Sequence, residues 1–274
     1  MKHLVICFLL ILSGCDDGSE MTEKVNLALI GDVPATTWET LSEKTIYFAH
    51  QSVGENIIDG MNVVLESDRT IPVTVKEYKD SGVPISASLW HSTIGENGDP
   101  VGKFKDFQDK LSSDMGNQID IAAVKLCYVD VERDADVKLI FNEYKKIIDG
   151  LKKELPETVI MHMTVPLMSH SDSFIDALKR FIREDNDDLD NIKRNELNQI
   201  IRKEYKGKGS FFDLAEYEST YQDGSRGFFV KDGKKYYFLL NEYTDDGGHL
   251  NEFARVYIAQ QMLMSLSEIA AQKE

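Results

Sequence analysis

Three residues near opposite ends of the chain have the types and spacing for acyl chemistry. Ser52 lies in His50-Gln51-Ser52-Val53-Gly54, after a short β-rich run and before a stretch with helical apolar spacing. A serine at the start of a helix has backbone N–H groups and the helix dipole close to its hydroxyl, where they stabilise a forming oxyanion. The same position suits a serine whose side chain only caps the helix. Near the other end, Asp246 and His249 stand three residues apart in Asp245-Asp246-Gly247-Gly248-His249-Leu250-Asn251. In a tight turn that spacing sets the carboxylate against one imidazole nitrogen and leaves the other to take a proton from a hydroxyl. Gly247 and Gly248 let the turn close. The competing reading is a capping aspartate beside a surface histidine. A metal pair lacks a third clear ligand, so neither a metal nor an organic cofactor is expected.

The other candidates carry less. His91 precedes a glycine-containing loop and is placed to contact substrate, His162 falls in a strand pattern as a hydrogen-bonded core residue, and His170 reads as a surface loop. Cys127 lies in the apolar run 121–129 and reads as a small buried residue without chemistry. The acidic stretch 184–190 lacks the alternating ligands and central glycine of an EF-hand, so it reads as a solvated approach to a helix. His50-x-Ser52-x-Gly54 is one residue away from the nucleophile elbow of α/β-hydrolases. In that fold the serine follows several strands and the acid and base come from separate loops, whereas Ser52 follows the first strand and Asp246 adjoins His249.

The elements that must position these residues alternate in type. Strand patterns cover 45–49, 73–78, 119–128, 158–165 and 210–214. Helical spacing covers 53–65, a stretch carrying Phe104, Phe107 and Leu111, then 137–151, 173–183, 189–205 and the segment after Leu250. Residues 80–100 read as a turn-rich loop, and 228–240, with Asp232-Gly233 as its turn, as an exposed hairpin. Such alternation predicts one α/β domain, a central parallel sheet of about five strands with helices on both faces, spanning 44–274. Ligands in that class bind beyond the carboxyl ends of the strands, which is where Ser52 falls.

Before this body, Lys2 and His3 precede nine residues from Leu4 to Leu12 that are too few to span a hydrocarbon core needing about 20. The pattern predicts a secretory signal over 1–14. Leu12-Ser13-Gly14-Cys15 resembles the lipobox of bacterial lipoproteins, which implies cleavage before Cys15, lipid on its thiol and a membrane anchor, with 15–43 as anchor and tether. Export then places the body at the cell envelope, on the periplasmic side or the cell surface. At 274 residues with 42% apolar content, the chain is long enough for one sizeable core. A formal charge of −16 with no basic stripe argues against a nucleic-acid partner.

Taken together, a serine after the first strand and Asp-x-x-His before the last helix resemble the SGNH or GDSL-type hydrolases, over roughly residues 44 to 270. The resemblance implies a three-layer α/β/α sandwich of flavodoxin-like type and a Ser52-His249-Asp246 triad. Where the family has Gly-Asp-Ser, this chain has His50-Gln51-Ser52. Gly95 resembles the second-block glycine whose N–H helps form the oxyanion hole. The third block, usually Gly-x-Asn-Asp, is replaced by Cys127-Tyr128-Val129-Asp130, so the asparagine donor is absent at Val129. Losing one such donor costs about 2.7 to 4 kcal/mol of transition-state stabilisation. Asn97 is the candidate substitute, and Asp130 either joins it in binding substrate or the oxyanion or instead orients its loop through hydrogen bonds. The implied function is an ester hydrolase acting on an acylated carbohydrate or other small ester. An O-acyltransferase or an inactive glycan-binding lipoprotein are the alternatives.

Overall fold

The computed structural model describes residues 24–79, 86–113, 115–170 and 187–272. Its centre is a sheet of six strands: β1 (Thr45–His50), β2 (Val75–Glu77), β3 (Ser88–Thr93), β4 (Ile121–Val124), β5 (Val159–Met163) and β6 (Phe211–Phe212). They lie in the order β2-β3-β1-β4-β5-β6, and every neighbouring pair is parallel. Parallel strands need long crossovers, and the chain supplies helices for them. The α-helices of the described residues are α1 (Ala35–Ser42), α2 (Val53–Ser67), α3 (Pro100–Leu111), α4 (Val137–Glu154), α5 (Asp187–Tyr205), α6 (Leu214–Glu218) and α7 (Glu252–Gln272), of which α2 to α5 lie between sheet strands.

The side-chain period of two along β1 divides the core into two layers. Ile46 and Phe48 pack with buried residues of α1, α2, α6 and α7, while Tyr47 and Ala49 pack with those of α3, α4 and α5. β1 is buried along its whole length, as a strand covered on both faces must be. The fold is therefore a three-layer α/β/α sandwich. Without the three-residue edge strand β2, the strand order is the flavodoxin-like one.

The observed elements differ from the expected ones in three places. First, the sheet has six strands rather than about five, because Ser88–Thr93 forms a strand inside the expected loop. Its sequence, Ser-Leu-Trp-His-Ser-Thr, has no apolar run. It is held instead by β1 and by hydroxyl contacts, Tyr47 to Ser92 and Thr74 to Ser88, at 2.8 and 2.9 Å. Second, the folded body begins upstream of Lys44. Trp38 and Leu41 of α1 are buried in the α2/α7 layer, and Val25 donates its N–H to the Gly224 carbonyl. Only two buried positions on an eight-residue helix leave no legible period. Third, helix α5 begins at Asp187, two residues before the expected start. The expected helix over 173–183, the signal segment and Cys15 lie outside the described residues.

The hairpin formed by β7 (Phe228–Lys231) and β8 (Lys234–Tyr237) turns at Asp232-Gly233, both with positive φ, 51° and 74°. That is the backbone twist a two-residue hairpin requires. Among the described residues no helix is long and apolar enough to cross a membrane.

Candidate active site

At the carboxyl end of β1 the chain turns into α2 within two residues, and Ser52 takes the strain of that turn. Its φ is 50° and ψ −106°, outside the regions an L-residue occupies at low cost. Such a conformation costs on the order of 1–3 kcal/mol and persists only where surrounding contacts fix it. Those contacts are present. Lys125, fully buried on the neighbouring strand end, donates to the Gln51 carbonyl at 2.8 Å, and Gln51 Nε2 donates to the carbonyls of Ile94 and Gly95. Gly54 is needed one residue into α2, since a Cβ there would stand 2.3 Å from the His50 Cβ.

The Ser52 side chain makes no capping bond to α2. Its Oγ lies 2.7 Å from His249 Nε2, and His249 Nδ1 lies 2.7 Å from Asp246 Oδ2. Residues 197 apart in sequence thus form a hydroxyl–imidazole–carboxylate relay. The turn that carries His249 is held from several sides. Asp246 Oδ1 accepts from the N–H groups of Gly248 and His249, at 3.0 and 2.8 Å. Leu250 donates its N–H to Asn56 Oδ1 on α2 at 3.1 Å, and Ser169 donates to the Gly247 carbonyl at 2.8 Å. Burial is the largest single influence and raises the Asp246 carboxyl, but the Gly248 and His249 N–H groups and the His249 ring together outweigh it and hold the group well below the usual carboxylate range. Asp246 is consequently ionised at neutral pH, as an imidazole-orienting group must be.

The residues expected around the oxyanion fall differently. Gly95 has a positive φ of 48°, yet its N–H donates to Asp106 Oδ2 at 2.9 Å and its carbonyl is taken by Gln51. This corrects the expectation that Gly95 N–H faces the oxyanion, because α3 places a carboxylate over it. Asn97 is exposed on the same loop, with its Oδ1 accepting from Lys103 Nζ at 2.9 Å. Asp130 is fully buried and does not face the relay. It accepts from Lys103 Nζ at 2.7 Å, from Gly98 N–H at 2.8 Å and from Cys127 N–H at 2.6 Å. It therefore ties the 95–99 loop to the turn after β4. As a substrate-binding residue it is corrected to a positioning one.

Sequence reasoning missed Tyr128. It follows β4, and its ring stands edge-on to His249, with centroids 5.8 Å apart at 74°. Its hydroxyl lies near enough to Ser52 for the two to interact. Arg194, buried on α5, donates to the Tyr128 carbonyl at 2.9 Å and sits over its ring at 5.8 Å. Gly248 is pressed against the same ring, since a Cβ there would meet it at 2.9 Å. The usable signal was positional: Tyr128 stands just past the carboxyl end of a central strand, where ligands bind in this class.

Among the described residues one group of side chains has ligand atoms that converge as a metal site would need, His50, Glu55 and His91. His50 Nε2 and His91 Nδ1 are 3.0 Å apart, and Glu55 is 3.8 Å from His50. A metal on His50 Nε2 would move the ring proton to Nδ1, which is buried without a partner among the described residues. Metal-bound histidines ordinarily donate that proton to an acceptor. The geometry fits a neutral hydrogen-bonded imidazole pair better. Burial, then Lys125, pushes His50 down to about 3, and burial lowers His91 as well. His162 is buried against Tyr205 and accepts or donates at 2.7 Å with the Tyr144 hydroxyl, far from the relay in the other layer. His170 pairs with Asp188 and stacks on Phe229 of the hairpin.

The arrangement defines a class: an open parallel α/β domain with a serine–histidine–aspartate relay beyond the strand ends. No family model and no curated protein matches the sequence. Solved structures are similar in outline at low identity. A provisionally assigned platelet activating factor from Streptococcus pneumonia aligns at 17% identity over 85% of this chain and 90% of that one, with a TM-score of 0.44. A provisionally assigned GDSL-like lipase from Parabacteroides merdae aligns at 12% identity over 82% and 96%, with a TM-score of 0.43. The periplasmic domain of a lipopolysaccharide acetyltransferase from Salmonella ser. Paratyphi A aligns at 12% over 81% and 84%, with a TM-score of 0.42.

Proposed function

We propose that this chain is a serine ester hydrolase of the SGNH/GDSL type, exported and held on a bacterial membrane by lipid on Cys15, which removes acetyl or other acyl groups from a carbohydrate. The observation that carries the reading is the relay of two 2.7 Å contacts through Ser52, His249 and Asp246. In the reaction, His249 Nε2 takes the Ser52 proton as Oγ attacks the ester carbonyl, and Asp246 holds the Nδ1 proton and stabilises the imidazolium. The carbonyl electron pair moves to oxygen beside the N-terminus of α2. Collapse expels the sugar alkoxide, which takes the proton from His249, and water then repeats the steps on the acyl-serine.

Two features support hydrolysis over the alternatives. The side chains of His249 and Asp246 are 41% and 58% exposed, so water reaches the relay, whereas an acyltransferase must exclude it. The strain at Ser52 aims its hydroxyl at His249, an arrangement a purely glycan-binding protein does not need.

The test compares the folded body with its Ser52→Ala variant for p-nitrophenyl acetate hydrolysis and for covalent labelling by a fluorophosphonate. Both signals are expected in the wild type, and both should vanish in the variant. A folded wild type with neither overturns the reading. Acyl transfer to an added glycan at the expense of free acid would instead establish the transferase.

A further inference from the structure

The relay needs an oxyanion hole, and of the groups expected to complete it Gly95 is engaged elsewhere. Gly95 N–H is committed to Asp106 and Val129 carries no donor, while Asn97 stands exposed on the 95–99 loop with its amide oxygen held by Lys103. One polar group left beside the nucleophile is the Tyr128 phenol. Its ring stands edge-on to His249, with Arg194 and Gly248 packed against it, and this sets the phenol near Ser52.

We infer that Tyr128 is a catalytic residue, its phenolic O–H acting with the N-terminus of α2 as the donor that receives the oxyanion formed when Ser52 attacks an ester. This rests on the esterase reading and completes it. In the ground state Ser52 Oγ hydrogen-bonds to His249 Nε2 and the phenol stands beside them. As the Oγ–C bond forms, the Ser52 proton passes to His249 Nε2 and the carbonyl π pair settles on the oxygen two bonds from Oγ, within a small rotation of the phenol. Tyr128 turns its O–H onto that oxygen and keeps its own proton through formation and collapse of the intermediate. Burial first, then the charges of Cys127 and Asp246, push the phenol above its ordinary value, so it remains a donor at neutral pH. A tyrosine in this role needs no separate loop donor, which accounts for a site that lacks both the block-three asparagine and a free Gly95 N–H.

The experiment measures kcat and KM for p-nitrophenyl acetate, and affinity for a trifluoromethyl ketone that adds to Ser52 as a hemiketal alkoxide, in wild type and Tyr128→Phe. The expected result is a kcat lower by about 10²- to 10³-fold with KM nearly unchanged, and ketone affinity lower by a similar factor. A folded Tyr128→Phe with wild-type kcat and ketone affinity overturns the inference while leaving Ser52 a nucleophile. An inactive, unlabelled wild type overturns the esterase reading itself. If Tyr128→Phe does not fold, 3,5-difluorotyrosine placed at 128 decides the matter. Its more acidic phenol should move the alkaline loss of kcat to lower pH, and an unmoved profile overturns the inference.

Discussion

Ser52 concentrates the proposed chemistry of this molecule in one strained backbone position. The positive φ aims Oγ away from the helix it could have capped and at His249, so the residue forgoes a cap worth about 1 kcal/mol. Asp246 divides its two oxygens between tasks, one on backbone N–H groups and one on the imidazole. Asp246→Asn keeps an acceptor for the turn but presents an amide N–H to His249 Nδ1, forcing the tautomer whose Nε2 already carries a proton. We expect kcat to fall by about 10⁴-fold with a thermal midpoint within about 3 °C of wild type, as steady-state kinetics and calorimetry would read. Gly248→Ala would push the Tyr128 ring aside, since the new Cβ meets it at 2.9 Å. A kcat loss of about 10-fold or more, with Ser52 still labelled by fluorophosphonate, is expected.

The elements that position these residues are joined beneath the site by buried charge. Lys103 on α3 and Asp130 after β4 are both fully buried and bonded at 2.7 Å, and Asp130 also holds the N–H groups of Gly98 and Cys127. Removing one partner leaves the other as an uncompensated charge, which costs about 3–5 kcal/mol. Asp130→Ala is therefore expected to lower the urea midpoint sharply, and its activity should fall too because the turn bearing Tyr128 loses its tie. A midpoint shift below about 1 kcal/mol equivalent would show that the pair is not what fixes the two loops. The Asn56 bond to Leu250 does the corresponding work between α2 and the His249 turn with a neutral side chain.

At the scale of the whole molecule, the two layers bury histidines that are kept neutral. His50 and His162 are each pushed from 6.5 down to about 3, chiefly by burial. Between those values the unfolded chain binds the protons and the folded chain does not, so folding loses stability as pH falls from about 6.5 toward 3 and regains it as pH rises. Each group contributes a slope on the order of 1.4 kcal/mol per pH unit in that window. Urea unfolding followed from pH 7 to 4 should show the decline, and His162→Phe should make it shallower. An unchanged slope in that variant would mean His162 is protonated in the folded state.

What the sequence by itself determined was whatever local order could encode. The Asp-x-x-His spacing closes within one turn, Ser52 follows a strand and precedes a helix, Asp232-Gly233 makes a hairpin, and apolar periods mark most strands and helices. These depend on neighbours a few residues away. Strand β3 and helix α1 escaped because their apolar residues are few and their places are set by partners distant in the chain, β1 for one and α7 for the other. The oxyanion donor escaped for the same reason. Nothing near Gly95 in sequence says that α3 will lay Asp106 over its N–H, and nothing near Tyr128 says that its phenol will reach a serine on another strand end. Tertiary structure alone decides which polar groups are already partnered and which remain for substrate, because a hydrogen bond is satisfied by whatever the fold brings within about 3 Å.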